Sequence, residues 1–302
     1  MGMGLELYKA SRGAREIFDA VDDCLSFRLT EIMFNGPASE LGKTINAQPA
    51  IMAVSLASLA ALGEWSYDNN LEPSVFAGHS LGEYTALVAS GAVDLNDGVR
   101  LVKERGALMQ MAAEREEGGM AAIIGLDENT LEEVCRDTGT QIANINTRDQ
   151  VVISGNRIAL ERAMDSASRR GARKTIQLAV AGAFHSQLMA PAQRGLVDVL
   201  DDIGFKEPKA PIVANFSAEI ITTRDEIRQE LVSQLCNCVR WRQSVECMIN
   251  MGILLFVEFG PGKVLNSLVK RIDRQAKTAN IESPSAARQL AEQTVPLYTL
   301  SE

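Results

Sequence analysis

The sequence predicts an α/β protein, a core of alternating strands and helices that carries one small inserted unit. Three observations predict it. Helix-period and strand-like segments alternate along most of the 302 residues. Between Gly118 and Val180 the order is β-α-β-β-α-β, the pattern of a ferredoxin-like unit. A short apolar strand runs into Gly78-His79-Ser80-Leu81-Gly82, and a helix follows.

The elements follow in order. "ASRGAREIFDAVDDCL" and "QPAIMAVSLASLAALGEW" have helical periodicity, and the second is apolar nearly all round, which predicts burial. "PSVFAGHS" reads as a short buried strand ending in a turn. "SLGEYTALVASGA" and "NDGVRLVKERGALMQMAA" read as two further helices. Past Gly118-Gly119 come strand "MAAIIGL", a capped helix "DENTLEEVCRDT", strands "TQIANIN" and "QVVISG", helix "NRIALERAMDSASRRG" and strand "ARKTIQLAV". Helix "SQLMAPAQRGLVDVLDDI", strand "APIVAN", helix "RDEIRQELVSQL" and strand "ILLFVEFG" come next. A helix is then entered through Gly260-Pro261-Gly262, and "VPLYTL" is the last apolar run. The implied division is a large unit over 1–117 and 181–302 and a small unit over 118–180.

Composition narrows the function classes. Hydrophobic residues make up 46% of the chain, enough for one sizeable core. A net charge of −9 disfavours nucleic-acid binding. No long apolar run suggests a membrane span, and the N-terminus lacks a basic and apolar leader, so a cytoplasmic protein is expected. Cys24, Cys135, Cys236, Cys238 and Cys247 fit neither a zinc site nor a disulfide framework. No metal ligand cluster is visible, and no cofactor is expected.

Gly78-x-Ser80-x-Gly82 matches a nucleophile elbow and has the required context, strand before and helix after. Residues without a Cβ let strand and helix close on a strained turn. Free N–H groups at the helix start suit an oxyanion. The competing reading is Ser80 as an ordinary N-cap. A serine nucleophile needs a base, most often histidine, and the chain has only His79 and His185. His79 adjoins Ser80, and neighbouring side chains diverge at such a turn. A serine–histidine pair therefore requires His185, in the loop "VAGAFHSQLM". Arg105 falls within the apolar stripe Leu101, Val102, Leu108 and Met109, opposite Lys103, Glu104 and Gln110. A guanidinium there needs an anionic partner: an internal ion pair, or a carboxylate of a substrate. Gly260-Pro261-Gly262-Lys263 lacks Walker A spacing and reads as a structural turn, with Lys263 at a helix start where a phosphate could sit.

"GHSLGEYTALVASGA", "VRLVKERGALMQ", "GMAAIIGL", "GAFHSQLM" and "FGPGKVL", in order from about Met3 to Leu297, together resemble malonyl-CoA:acyl carrier protein transacylases. These load dissociated fatty acid synthesis and are related to polyketide synthase acyltransferases. The resemblance implies an α/β-hydrolase-like core with an inserted ferredoxin-like subdomain. It implies Ser80 as nucleophile, His185 as base and Arg105 as carboxylate clamp. The Gln234 backbone carbonyl would orient the histidine, and the Leu81 N–H would face the oxyanion. Asn146 and His79 would lie beside the substrate. Phe184 matches malonyl-selective members, and its ring should crowd an α-methyl group. The implied partners are malonyl-CoA and acyl carrier protein, met by a monomer. Lys270 to Lys277 and Ser168 to Lys174 are the candidate basic docking runs, with solvated charge as the other reading.

One departure stands out. The family opens with a strand and a Gly-Gln-Gly-x-Gln loop that supplies a second oxyanion donor, and this sequence begins just after it. The expectation is a start placed downstream of the natural one. Otherwise core and sheet edge should be exposed, and a lost donor costs on the order of 10²–10³ in rate. The competing functions are a free-standing acyltransferase of a polyketide synthase, a serine thioesterase or hydrolase, which would need no carboxylate clamp, and an inactive carrier-binding scaffold.

Overall fold

The computed structural model describes residues 1–66 and 72–293. The apolar run 295–300 and the far end of the expected large unit lie outside the described residues. Among the described residues, nine strands, β1 (Phe76–Ala77), β2 (Gly118–Ile124), β3 (Gln141–Thr147), β4 (Gln150–Asn156), β5 (Lys174–Gln177), β6 (Ile212–Val213), β7 (Ile220–Ile221), β8 (Leu255–Phe259) and β9 (Lys277–Ile281), are distributed among three sheets in a mixed α/β fold.

Helix Thr44–Trp65 is the hub of the largest core cluster. It is long and apolar enough to cross a membrane, against the expectation of no such run. Most of it is buried in the core instead. With no polar face to turn to water it must be covered on several sides. Helices Arg12–Leu25, Leu81–Ala89, Leu95–Arg115 and Pro284–Gln293 cover it. The contact with Leu95–Arg115 is close enough to reach backbone. A Cβ on Gly106 would lie 2.7 Å from the Thr44 carbonyl oxygen and 2.9 Å from the Ile45 Cα. That contact fixes the turn carrying Arg105 against the start of the hub helix.

The core strands are shorter than the apolar runs suggest. β1 and β6 are two-residue parallel partners, and β7 adds antiparallel to β6. β8 and β9 pair in parallel as a separate two-stranded sheet, and Leu254 and Leu255 beside and on β8 are exposed. β7, β9 and the helices Leu5–Ala10, Leu29–Asn35, Ala38–Leu41, Trp241–Asn250 and Pro284–Gln293 were not anticipated from the sequence. Between residues 118 and 177 lies a four-stranded antiparallel sheet of order β3-β4-β2-β5, with helices Glu128–Thr138 and Arg157–Arg169 packed on it. Asp127 and Asn156 cap those helices by accepting from the N–H groups of Thr130 and Ala159. The β3 edge is sewn to the rest of the molecule: Ile145 N–H donates to the Val239 carbonyl and Val239 N–H to the Ala143 carbonyl, each at 2.9 Å.

Gly106→Ala is expected to destabilise the protein by about 1–3 kcal/mol, although alanine is the better helix former, because backbone cannot move aside. Gly63→Ala, in the hub helix, meets nothing within 4 Å and should be neutral or stabilising. Urea denaturation of both variants checks this; equal effects would mean the close helix contact is not tight.

Candidate active site

β1 delivers the chain into a turn that only small residues permit. A Cβ on Gly78 would stand 2.0 Å from the carbonyl carbon of Gly82. Ser80, at the N-cap of helix Leu81–Ala89, has φ 51° and ψ −103°, a region that side chains avoid. Asn215, fully buried at the end of the "APIVAN" strand, holds the turn. Its Oδ1 accepts from the Ser80 N–H at 2.6 Å, and its Nδ2 donates to the Gly78 carbonyl at 2.7 Å. The Ser80 hydroxyl is therefore turned outward from a pinned backbone. Leu81 opens the helix, so its N–H has no intrahelical acceptor.

His185 lies in the loop before the Gln187–Met189 turn, also at positive φ, 56°. Its Nε2 is 2.8 Å from the Ser80 Oγ, and its Nδ1 is 3.0 Å from the Gln234 carbonyl oxygen. A carbonyl only accepts, so Nδ1 carries the proton and Nε2 is left to accept from the Ser80 hydroxyl. Burial, then the Arg105 charge, pushes the His185 pKa down to about 3.

Arg105 is 1% exposed, and it forms no ion pair among the described residues. Its Nη2 donates to Ser80 Oγ and to Gln234 Oε1, each at 3.1 Å, and its Nη1 donates to Gln48 Oε1 at 2.6 Å. The guanidinium lies 4.9 Å from the Tyr84 ring centroid, and its Nε has no hydrogen-bond partner. The nearest acidic groups stand one layer behind. Glu83 takes Gln234 Nε2 and the Asn215 N–H, while Glu230 takes the Phe216 N–H. Burial and their mutual repulsion push the Glu83 carboxyl well up, and burial pushes Glu230 up. Burial also raises Tyr84 to about 12.

Ser80, His185, Arg105 and Gln234 thus form one bonded network. His79 and Asn146 form a second pair beside it, His79 Nε2 to Asn146 Oδ1 at 3.0 Å, with the His79 ring 5.6 Å from Trp241. Burial holds the His79 pKa below its usual range. Phe184 is half-buried and packs against both the large core and the inner face of β2, β3 and β4. Lys263 stands 3.5 Å from Glu282, an ion pair rather than a free phosphate ligand. Sequence reasoning missed Gln48, Glu83 and Asn215. Each is a polar side chain in or at the end of an apolar run, a signal that could have found them.

Fold and site together define a class, an α/β acyl-transfer enzyme. A family profile described as "Acyl transferase domain" matches residues 1–293, and the chain belongs to that family. It is 41% identical over 300 residues to the malonyl CoA-acyl carrier protein transacylase of Bacillus subtilis, covering 98% of this chain and 93% of that one. Among solved structures, the acyl-carrier-protein-S-malonyltransferase of Bartonella henselae superposes with a TM-score of 0.93 at 39% identity, covering 97% of this chain and 95% of that one. A malonyl-transacylase solved in complex with a type II polyketide synthase acyl-carrier protein gives 0.92 at 37% identity, covering 97% and 95%.

The depressed His185 pKa carries a stability consequence. Between pH 6.5 and about 3 the unfolded chain holds a proton here that the folded chain does not. This residue therefore lowers stability as pH falls below 6.5, by about 2 kcal/mol at pH 5. His185→Asn should lose correspondingly less stability than wild type between pH 7 and pH 5 in urea titrations. Parallel losses would show that His185 titrates normally in the folded protein.

Proposed function

We propose that this protein transfers the malonyl group of malonyl-CoA to the phosphopantetheine thiol of acyl carrier protein for fatty acid synthesis, through a malonyl ester on Ser80. The observation that carries the reading is Arg105, a buried guanidinium in contact with the nucleophile and without an ion pair among the described residues. The carboxylate carbon of a malonyl group lies two bonds from the thioester carbon that Ser80 attacks. A guanidinium beside the serine oxygen is therefore where that carboxylate falls.

The geometry supports the following steps. His185 Nε2 takes the hydroxyl proton as Ser80 Oγ bonds to the thioester carbon. The oxyanion meets the Leu81 N–H at the helix start. The C–S bond breaks, and coenzyme A leaves with the proton from His185. The carrier thiol then gives its proton to His185, attacks the ester and regenerates Ser80. Arg105 keeps the carboxylate through both halves. An acyl group without a carboxylate leaves that guanidinium unpaired, which disfavours it. Phe184 narrows the space beside the α-carbon and favours malonyl over branched analogues.

In this reading the fold is an α/β-hydrolase-like core with a ferredoxin-like subdomain over about 118–180. The strand-turn-helix elbow and the β-α-β-β-α-β sheet support it. We place the enzyme in the cytoplasm as a monomer, using no metal or cofactor. Of the two basic runs, Lys270 to Lys277 is the better dock for an acidic carrier. Its Lys270, Arg274 and Lys277 enter no ion pair among the described residues and Arg271 meets Asp149 only at 3.9 Å, whereas in the other run Arg170 pairs with Glu133 and Asp137 and Arg173 with Asp149, leaving Arg169 and Lys174. A second reading, service to a polyketide synthase, draws support from the likeness to the transacylase solved with such a carrier.

Intact-protein mass spectrometry after brief incubation with malonyl-CoA tests the proposal. A malonyl adduct is expected on the wild type and none on Ser80→Ala. Arg105→Ala should lower malonyl transfer by about a hundredfold or more while sparing acetyl transfer. No adduct on the wild type would overturn the malonyl reading, and equal loss of both acyl groups would overturn the clamp.

A further inference from the structure

The Gln234 side chain, fully buried, holds a position with only one favourable orientation. Its Nε2 faces two acceptors, Glu83 Oε2 at 2.5 Å and the Ser80 carbonyl at 2.9 Å. Its Oε1 faces a donor, Arg105 Nη2 at 3.1 Å. Rotating the amide by half a turn would set its NH2 against the guanidinium and its oxygen against a carboxylate and a carbonyl. Glu83 enforces the choice because both groups facing it, the Asn215 N–H and Gln234 Nε2, are donors. Nothing in the proposed chemistry requires the Glu83 side chain, which is fully buried and, among the described residues, bonds to neither Ser80 nor His185; only the Glu83 backbone N–H reaches Ser80, at its carbonyl.

We propose that Glu83 is a positioning residue: through the Gln234 amide it sets the Arg105 guanidinium for the substrate carboxylate, and with it the preference for a carboxylated acyl group. This rests on the malonyl reading above. The chain of contacts separates two jobs carried by Gln234. Its backbone carbonyl orients His185, and its side chain orients Arg105 and also meets the Ser80 carbonyl, which keeps the Glu83 N–H as a second donor. Disturbing the Glu83 contact should therefore affect selectivity for the carboxylate more than the serine–histidine pair.

Glu83→Gln is the direct test, because it keeps size and shape but can accept from only one of the two donors. The Asn215 backbone N–H cannot turn, so the new amide must offer its oxygen there and its NH2 to Gln234. Gln234 then flips and meets Arg105 donor to donor. With wild-type malonylation established first, kcat/KM for malonyl-CoA should fall by about 10- to 100-fold, mainly through KM. Acetyl-CoA should change less than about threefold. Failure of the wild type to take malonyl would count against the functional reading, a separate result. Equal loss on both acyl donors, or no loss on either, would overturn the role given to Glu83. Should Glu83→Gln fail to fold, Glu83→Asp serves instead, since it keeps two acceptor oxygens but draws them back from the Gln234 amide. It should lose the malonyl preference in the same way, and an unchanged malonyl-to-acetyl ratio would overturn the proposal.

Discussion

A buried positive charge that is denied a direct negative partner is the constraint around which this molecule is arranged. An unpaired guanidinium in the interior costs several kcal/mol unless its N–H groups are bonded. Arg105 meets that demand with neutral acceptors, Gln48, Gln234 and the Ser80 hydroxyl, and with the face of Tyr84. The Glu83 carboxyl stands one side chain away, behind Gln234. A protein carboxylate in direct contact would stabilise the guanidinium better, and a carboxylated substrate would then have to displace it. Gly106 belongs to the same arrangement, since it lets helix Leu95–Arg115 close on the helix that brings Gln48.

The second demand is strain. Ser80 and His185 both sit at positive φ, and neither is glycine. Such backbone persists only where the surroundings over-determine it. Asn215 ties the elbow from both sides, and Gln234 ties the histidine, the arginine and the Ser80 carbonyl together. Gln234 closes helix Arg224–Gln234, whose start carries a full capping box at Thr223 and Glu226. The four-stranded sheet also reaches the site. Asn146 reaches His79 from β3, and β3 is bonded through Val239 to the segment leading into Trp241.

Much of this was legible in the sequence, for identifiable reasons. Ser80 stood between glycines at a strand-to-helix junction, His185 was the histidine left once His79 was set aside, and Arg105 interrupted an apolar stripe. Each is a local departure from pattern. Gln48, Glu83 and Asn215 escaped notice because their importance lies in contacts across 57, 151 and 135 residues of chain. No period or spacing encodes such partners. The core strands were over-read for a related reason: an apolar run such as "APIVAN" reports burial, but only a neighbour decides how much of it pairs, and here that is Ile212–Val213. β9 was passed over because "KTANI" is polar and half-exposed.

The histidine's partner also bears on selectivity. A carbonyl behind Nδ1 fixes the tautomer as a carboxylate would, but adds no net charge near Arg105. Burial and the guanidinium's field together hold His185 a weak base. A bound malonyl carboxylate would offset that field, so in the proposed reading the base strengthens when the right acyl group arrives. An acetyl group brings no such charge. Recognition and activation would then share one electrostatic cause rather than two. Proton NMR of the His185 ring measures it directly. With malonate bound the ring should protonate at higher pH than with an uncharged amide analogue, and identical titrations would show that Arg105 selects the substrate without tuning the base.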